Sequence, residues 1–286
     1  MTETIYHLPV PATVALLADL HDRPYFSIMQ SLSDHRPAII CIAGDVVFGD
    51  PPNDGRLLIR TQKFVLPFLR ACCALAPTFL SLGNHEKALC EDDLQRIRDT
   101  GCVLLDNSWV SFGGTVIGGL TSYSVLDYRC LREEKHARYP GCHHGTHVIT
   151  EPDTGWLEAF ERQPGYRILL CHHPEYYPRF LKGRDIDLIL SGHAHGGQWR
   201  IGRQGIFAPS QGLFPRLTEG VHDGRLVISR GLANRAPVPR LNNPPEIVYI
   251  QNPSAVKEKA EQAAKQAVQS AAAMDGDTVP ERGIHA

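Results

Sequence analysis

Five short apolar runs that each end in metal-binding residue types constrain this chain more than any other feature. Residues 14–18 end at Asp19-Leu20-His21, 38–43 at Gly44-Asp45, and 77–82 at Gly83-Asn84-His85-Glu86. Residues 167–171 run into His172-His173-Pro174, and 186–190 into Ser191-Gly192-His193-Ala194-His195. Runs this short, bounded by glycine and polar residues, read as buried strands. Helical spacing separates them. Ile28, Met29 and Leu32 mark a helix over 25–33, and 57–73 reads as a helix kinked near Pro67. Further short helices are predicted over 92–100 and 156–160. Strand alternating with helix gives an α/β class.

In an open sheet, ligands bind beyond the carboxyl ends of the strands. The five sets therefore converge on one crevice if their strands share an edge. Alternate residues of an extended segment point to the same side, which pairs Asp19 with His21 and His193 with His195. His172 and His173 cannot both face the crevice on that reasoning, and His172 is the expected ligand. Two carboxylates, an amide oxygen and several imidazoles are too many for one ion, and there is no thiolate set. Mixed nitrogen and oxygen donors suit Mn, Fe or Zn better than Ca or Mg. Two ions can share a carboxylate, and Asp45, lying between the other ligand sets, is the natural bridge.

The remaining stretches narrow the partners. A net charge of −2 leaves no footprint for nucleic acid or an anionic membrane. No basic segment followed by an apolar one opens the chain, and no apolar run approaches the ~18 residues of a spanning helix. A cytoplasmic protein without a membrane anchor is expected. Of the eight cysteines, Cys41, Cys72, Cys73 and Cys171 sit in apolar runs as small hydrophobes, and no Cys-x-x-Cys occurs. Cys130 and Cys142 flank a polar stretch nearer to possible chemistry. Residues 123–147 gather Arg129, Arg132, Lys135, His136, Arg138, His143, His144 and His147, a candidate lid for an anionic substrate. After Asp19-Leu20-His21, Arg23 and Tyr25 either project over the site or belong to a helix-initiating turn begun by Asp22 and Pro24. The chain divides into one domain, 1–252, and a tail, 253–286, holding an exposed Ala-rich helix followed by disorder. That helix offers a route to a homo-oligomer.

The ordered set Asp-x-His, Gly-Asp, Gly-Asn-His-Glu, an isolated His after a strand, and Gly-His-x-His resembles the calcineurin-like metallophosphoesterase family. Residues 192–198, Ser229-Arg230-Gly231 and Pro245-Glu246-Ile247 resemble the subgroup of YkuE-type phosphohydrolases and certain UDP-2,3-diacylglucosamine hydrolases. The resemblance implies a four-layer αββα sandwich of two mixed sheets flanked by helices. It implies two divalent metal ions: one on Asp19, His21 and His195, the other on Asn84, His172 and His193, with Asp45 between them. His85 would then serve the leaving oxygen while a metal-bound hydroxide attacks in line. Glu86 either orients His85 through its other ring nitrogen or is a surface carboxylate.

The implied activity is hydrolysis of a phosphomonoester or phosphodiester in a small phosphorylated substrate. The alternatives are a pyrophosphohydrolase of a UDP-sugar-lipid type substrate and a non-catalytic metal-binding protein on the same fold. A membrane-lipid substrate is disfavoured because the first strand is expected only at Val14, with no leader or anchor ahead of it. An amidohydrolase is disfavoured because its His-x-His belongs on the first strand, whereas here it comes last. A nuclease would need a basic stripe that the chain lacks.

Overall fold

The computed structural model describes residues 1–49, 57–122, 151–234 and 238–254. Three of the ligand-tipped runs become parallel neighbours in a first sheet: β2 (Val14–Leu17), β3 (Ile39–Ile42) and β4 (Thr78–Ser81). β5 (Val103–Leu105) extends that sheet on one side. On the other side β16 (Glu246–Gln251) runs antiparallel to β2 and parallel to β1 (Thr2–His7). The expected helices appear as α1 (Phe26–His35), α2 (Val65–Leu75), α3 (Glu91–Arg98) and α4 (Leu157–Glu161). Pro67 does not kink α2. It is the third helical residue, where a backbone N–H has no intrahelical acceptor to lose. The chain breaks earlier, between a 3₁₀ turn at Leu58–Thr61 and the start of α2.

The other two ligand-tipped runs are in a second sheet. β8 (Tyr166–Cys171) and β9 (Leu188–Ser191) pair in parallel at its centre. β7 (Thr115–Leu120) and the antiparallel β6 (Ser108–Phe112) flank β8. β15 (Leu226–Ile228) lies parallel to β9, with β14 (Gly220–His222) at the edge. Between β9 and β14 the chain makes two small hairpins, β10 (Arg200–Ile201) with β11 (Gln204–Gly205) and β12 (Phe207–Ala208) with β13 (Gly212–Leu213).

Strand alternation explains why the apolar runs are continuous. Ala15 and Leu17, Ile40 and Ile42 face a core shared with α1, α2 and α3. Their neighbours Leu16, Cys41 and Ala43 face a second core between the sheets, where they meet Ile168, Leu170, Leu188 and Leu190. Leu169 and Ile189 point the other way, to a third core under α4. Three cores between four layers make the αββα sandwich. One expectation changes: the first strand is β1, ahead of Val14, and it pairs with β16 in the first sheet. No described helix is long and apolar enough to cross a membrane. The 123–147 lid, with Arg129 and Arg132, and the tail helix from 255 lie outside the described residues.

Candidate metal centre

All five ligand-bearing strand ends meet at one rim of the two sheets. Their side chains converge through an unusual backbone. Asp19, His21, Asp45, His193 and His195 all have φ between 47° and 64°, the left-handed region that costs a non-glycine residue about 1–3 kcal/mol. The expected pairing of alternate residues is met by these left-handed turns, not by extended strand. Hydrogen bonds hold the turns, including the Asp19 amide to the Gly44 carbonyl and the His21 amide to that of Asp45, both 3.1 Å. Close packing leaves no alternative at two glycines. A Cβ at Gly83 would sit 2.3 Å from Asp45 Oδ1, and one at Gly231 2.7 Å from Asp19 Oδ2.

Donor atoms of Asp19, His21 and His195 lie within 4.8 Å of one another, as do those of Asp19, Asp45 and His172. His172, His173 and His193 form a third such group. Asp45 Oδ2 is the common point: it is 3.1 Å from His172 Nε2, 3.9 Å from His85 Nε2 and 4.0 Å from His21 Nε2. Asn84 follows Gly83 at the end of β4, 6% exposed. Four of the seven expected ligands carry a buried atom without a hydrogen bond: Asp19 Oδ1, His21 Nε2, Asn84 Oδ1 and His172 Nε2. Buried polar atoms are rarely left so. Here each is a metal-donor atom of the type mixed nitrogen and oxygen sites use, so the residues fit divalent cations.

The surroundings orient the imidazoles. His172 Nδ1 donates to the Ala43 carbonyl at 2.6 Å and His21 Nδ1 to that of Val47 at 3.4 Å, turning both Nε2 atoms inward. Glu175 Oε1 lies 3.0 Å from His173 Nδ1 and 3.6 Å from His193 Nε2. His173 thus does not turn away as expected, because the chain leaves β8 at once and its ring packs 3.9 Å from that of His193. His195 is held differently. Arg240 donates to its Nδ1 at 3.0 Å, which places the neutral ring's proton on Nε2, 3.6 Å from Asp19 Oδ1. Ligation through Nε2 therefore requires Arg240 to release the ring.

Burial sets the charges. It lowers His21 to about 4 and takes His193 and His195 well below the usual histidine range, so these rings are neutral at pH 7. Burial raises Asp19 to about 7 against the pull of His172. It also opposes charge on His172 and Asp45, yet their mutual attraction wins: His172 rises to about 10 and Asp45 falls well below the carboxylate norm. A buried positive charge is already favoured beside Asp45.

Two expected roles differ in the structure. Glu86 is 2% exposed, not a surface group, and its oxygens are spent on backbone. Oε2 accepts the amides of Asp45 and Gly83, and Oε1 those of Val46 and Val47. It braces the Asp45 loop and does not orient His85. Tyr25 packs on Phe64 and Phe68, with ring centroids 6.4 and 5.4 Å away, on the helix side of the first sheet. Arg23 is exposed. Asp22 accepts the amides of Lys63 and Phe64, so it ties down the turn leading into α2 and does not start α1. His85 is the most open imidazole at the centre, its side chain 33% exposed, and its ring stacks on Phe48 at 5.5 Å. Its amide donates to Asp45 Oδ1 at 2.9 Å.

The sequence profile of the calcineurin-like phosphoesterases matches residues 12–197, which span all seven expected ligands. The chain belongs to this family. Among curated phosphoesterase relatives, the uncharacterized metallophosphoesterase YkoQ of Bacillus subtilis is 27% identical over 202 residues, 64% of each chain. The uncharacterized protein YpbG of the same organism is 26% identical over 201 residues, 69% of this chain and 66% of that one. The chain thus spans just under two thirds of the length of these relatives. A solved structure of a dimetal phosphatase from Danio rerio aligns over 77% of this chain and 87% of that chain, with 15% identity and a TM-score of 0.45.

Several phosphoesterase site residues were not singled out from sequence. Glu175 had a signal, a carboxylate closing His172-His173-Pro174. Arg240 and Asn243, whose Nδ2 donates to the His195 carbonyl at 2.7 Å, had none, since they reach the centre from a loop 45 and 48 residues on. Arg230 and Glu246, noted for their motifs, pair at 3.0 Å.

Proposed function

We propose that the protein is a phosphoester hydrolase that works with two divalent cations. Asp19, His21 and His195 hold one and Asn84, His172 and His193 the other, with Asp45 shared between them. Bound cations supply Lewis acidity toward the phosphoryl oxygens and acidify a water near neutral pH. The chain's residues do the rest. Neutral His21 keeps its Nε2 lone pair available, neutral His193 and His195 add no competing positive charge, and the buried carboxylates supply negative charge. His85, open to solvent yet tied by its amide to Asp45, gives a proton to the departing oxygen. Arg129 and Arg132 are assigned to the substrate side, as contacts for a small phosphorylated substrate.

The single observation that carries this reading is the set of four buried donor atoms without hydrogen bonds, drawn from three strand ends. The test is turnover of p-nitrophenyl phosphate and bis-p-nitrophenyl phosphate by protein loaded with Mn, Fe or Zn, with Asp45→Asn as control. Turnover of either ester that the substitution abolishes supports the proposal. No turnover with any of the metals overturns it in favour of a non-catalytic metal-binding protein.

A further inference from the structure

Apolar side chains are exposed unevenly. Of thirteen large hydrophobic residues exposed among those described, seven fall between Trp199 and Leu241. Ile201 is 76% exposed, Leu213 71% and Phe214 63%, with Trp199, Phe207 and Leu241 also open. These are not frayed ends. The Ile206 amide donates to the Trp199 carbonyl at 2.8 Å and the Phe214 amide to the Ile206 carbonyl at 2.9 Å, joining the two hairpins. Trp199 bridges to Leu241 in parallel, and its indole N–H donates to the Pro239 carbonyl at 2.8 Å. A hydrogen-bonded scaffold therefore presents several exposed apolar side chains within one short stretch, with Phe207 paired across its hairpin to Leu213.

The charges around it choose the partner. No Asp or Glu occurs from Trp199 through Thr218, while Arg203, in the β10–β11 turn, and Arg216, three residues beyond β13, are exposed. Tryptophan, phenylalanine and branched aliphatics beside arginine form the composition of a surface that lies in a membrane interface. Arginine adds attraction to anionic headgroups, worth roughly 1 kcal/mol per residue close to the bilayer. The surface also adjoins the metal centre. Ser210, in the turn between β12 and β13, places its Oγ 3.4 Å from His193 Nε2.

We infer that the β10–β13 hairpins are a docking surface for an anionic lipid bilayer, seating the centre beside the headgroups. The net charge of −2 does not oppose this, because attraction at a surface depends on the local charges within a Debye length. Docking does not require that the centre be hydrolytic, so the two proposals fail separately.

The test is co-sedimentation of the full-length, metal-loaded chain with vesicles of phosphatidylcholine alone or mixed equally with phosphatidylglycerol. The expected result is binding to the mixed vesicles, weakened about tenfold or more by Ile201→Glu with Leu213→Glu. Arg203→Glu with Arg216→Glu is expected to remove the preference for the anionic vesicles, and added salt to weaken it. Emission of the wild-type protein shifts to the blue on binding, and Trp199→Phe abolishes the shift, since Trp109 and Trp156 stack on each other elsewhere. Circular dichroism and turnover of a soluble ester, unchanged in the Ile201/Leu213 variant, separate lost docking from lost folding. Absence of sedimentation overturns the inference, as does equal binding by wild type and that variant. A lipid-free dimer that the same substitutions dissociate also overturns it, since a second copy would then cover the surface.

Discussion

The carboxylate of Glu86 holds Asp45 from behind, accepting its amide at 2.8 Å while its other oxygen takes the amides of Val46 and Val47 at 2.7 and 3.2 Å. Buried carboxylates are costly unless fully hydrogen-bonded. Glu86 meets that condition by fixing the left-handed turn that carries Asp45. Replacing Glu86 with Gln puts an N–H₂ group where amides need an acceptor, and each buried donor left unpaired costs about 1–3 kcal/mol. Glu86→Gln is therefore expected to lower the thermal midpoint of the metal-free protein and to weaken cation binding. Differential scanning calorimetry and metal titration read both. A variant with unchanged stability and only a slower turnover would return Glu86 to the role of His85's partner.

His85→Ala separates proton transfer from cation binding. The ring is no part of the seven-ligand set, so metal content is expected to be unchanged while kcat falls about 10²–10⁴-fold, the range for a lost general acid. The loss is expected to be larger for an alkyl phosphate than for p-nitrophenyl phosphate, whose leaving group needs less help. Steady-state kinetics on both esters, with metal analysis alongside, check this.

Cation affinity is expected to rise with pH. Asp19, raised to about 7, and His172, raised to about 10, both hold protons in the metal-free protein at neutral pH, and a bound cation displaces them. Binding that releases protons tightens as pH increases, by about tenfold per pH unit for each proton released. The slope is expected to be steepest below pH 7, where both groups release a proton, and to continue shallower toward pH 10 on His172 alone. Isothermal titration with Mn²⁺ across pH 6 to 8.5 measures it, and a flat profile would contradict the charge assignment.

Tyr25 is expected to matter for packing alone. Tyr25→Phe keeps the contacts with Phe64 and Phe68 and should leave kcat/KM within about twofold, whereas Tyr25→Ala should lower stability by up to the ~3 kcal/mol of a partly buried aromatic. A large drop in kcat/KM for Tyr25→Phe would place its hydroxyl at the substrate.

The buried strands were readable because each is apolar on both faces and stops at a glycine or polar residue, as β3 does before Gly44-Asp45. β1 was not readable. Thr2–His7 alternates between half-buried and exposed and has no apolar run, and its place is set by pairing with β16 at the far end of the chain. The hairpins between Arg200 and Leu213 contain strands of two residues, below what periodicity can register. Asp19, His21, Asp45, His172, His193 and His195 were legible as a group because each follows a strand. Glu86 was misread for a physical reason: its acceptors' partners are the amides of Asp45 to Val47, some 40 residues earlier, and only the parallel pairing of β3 with β4 brings them together. The left-handed ligands were equally hidden, since no residue type announces that conformation as glycine does.

Everything rests on Asp45 lying between two cations. Anomalous diffraction from a crystal soaked in Mn²⁺ tests this most directly. The expected result is two peaks about 3.5–4 Å apart on either side of the Asp45 carboxylate, with Asp19 beside one and Asn84 beside the other. A single peak, or peaks away from Asp45, would contradict it.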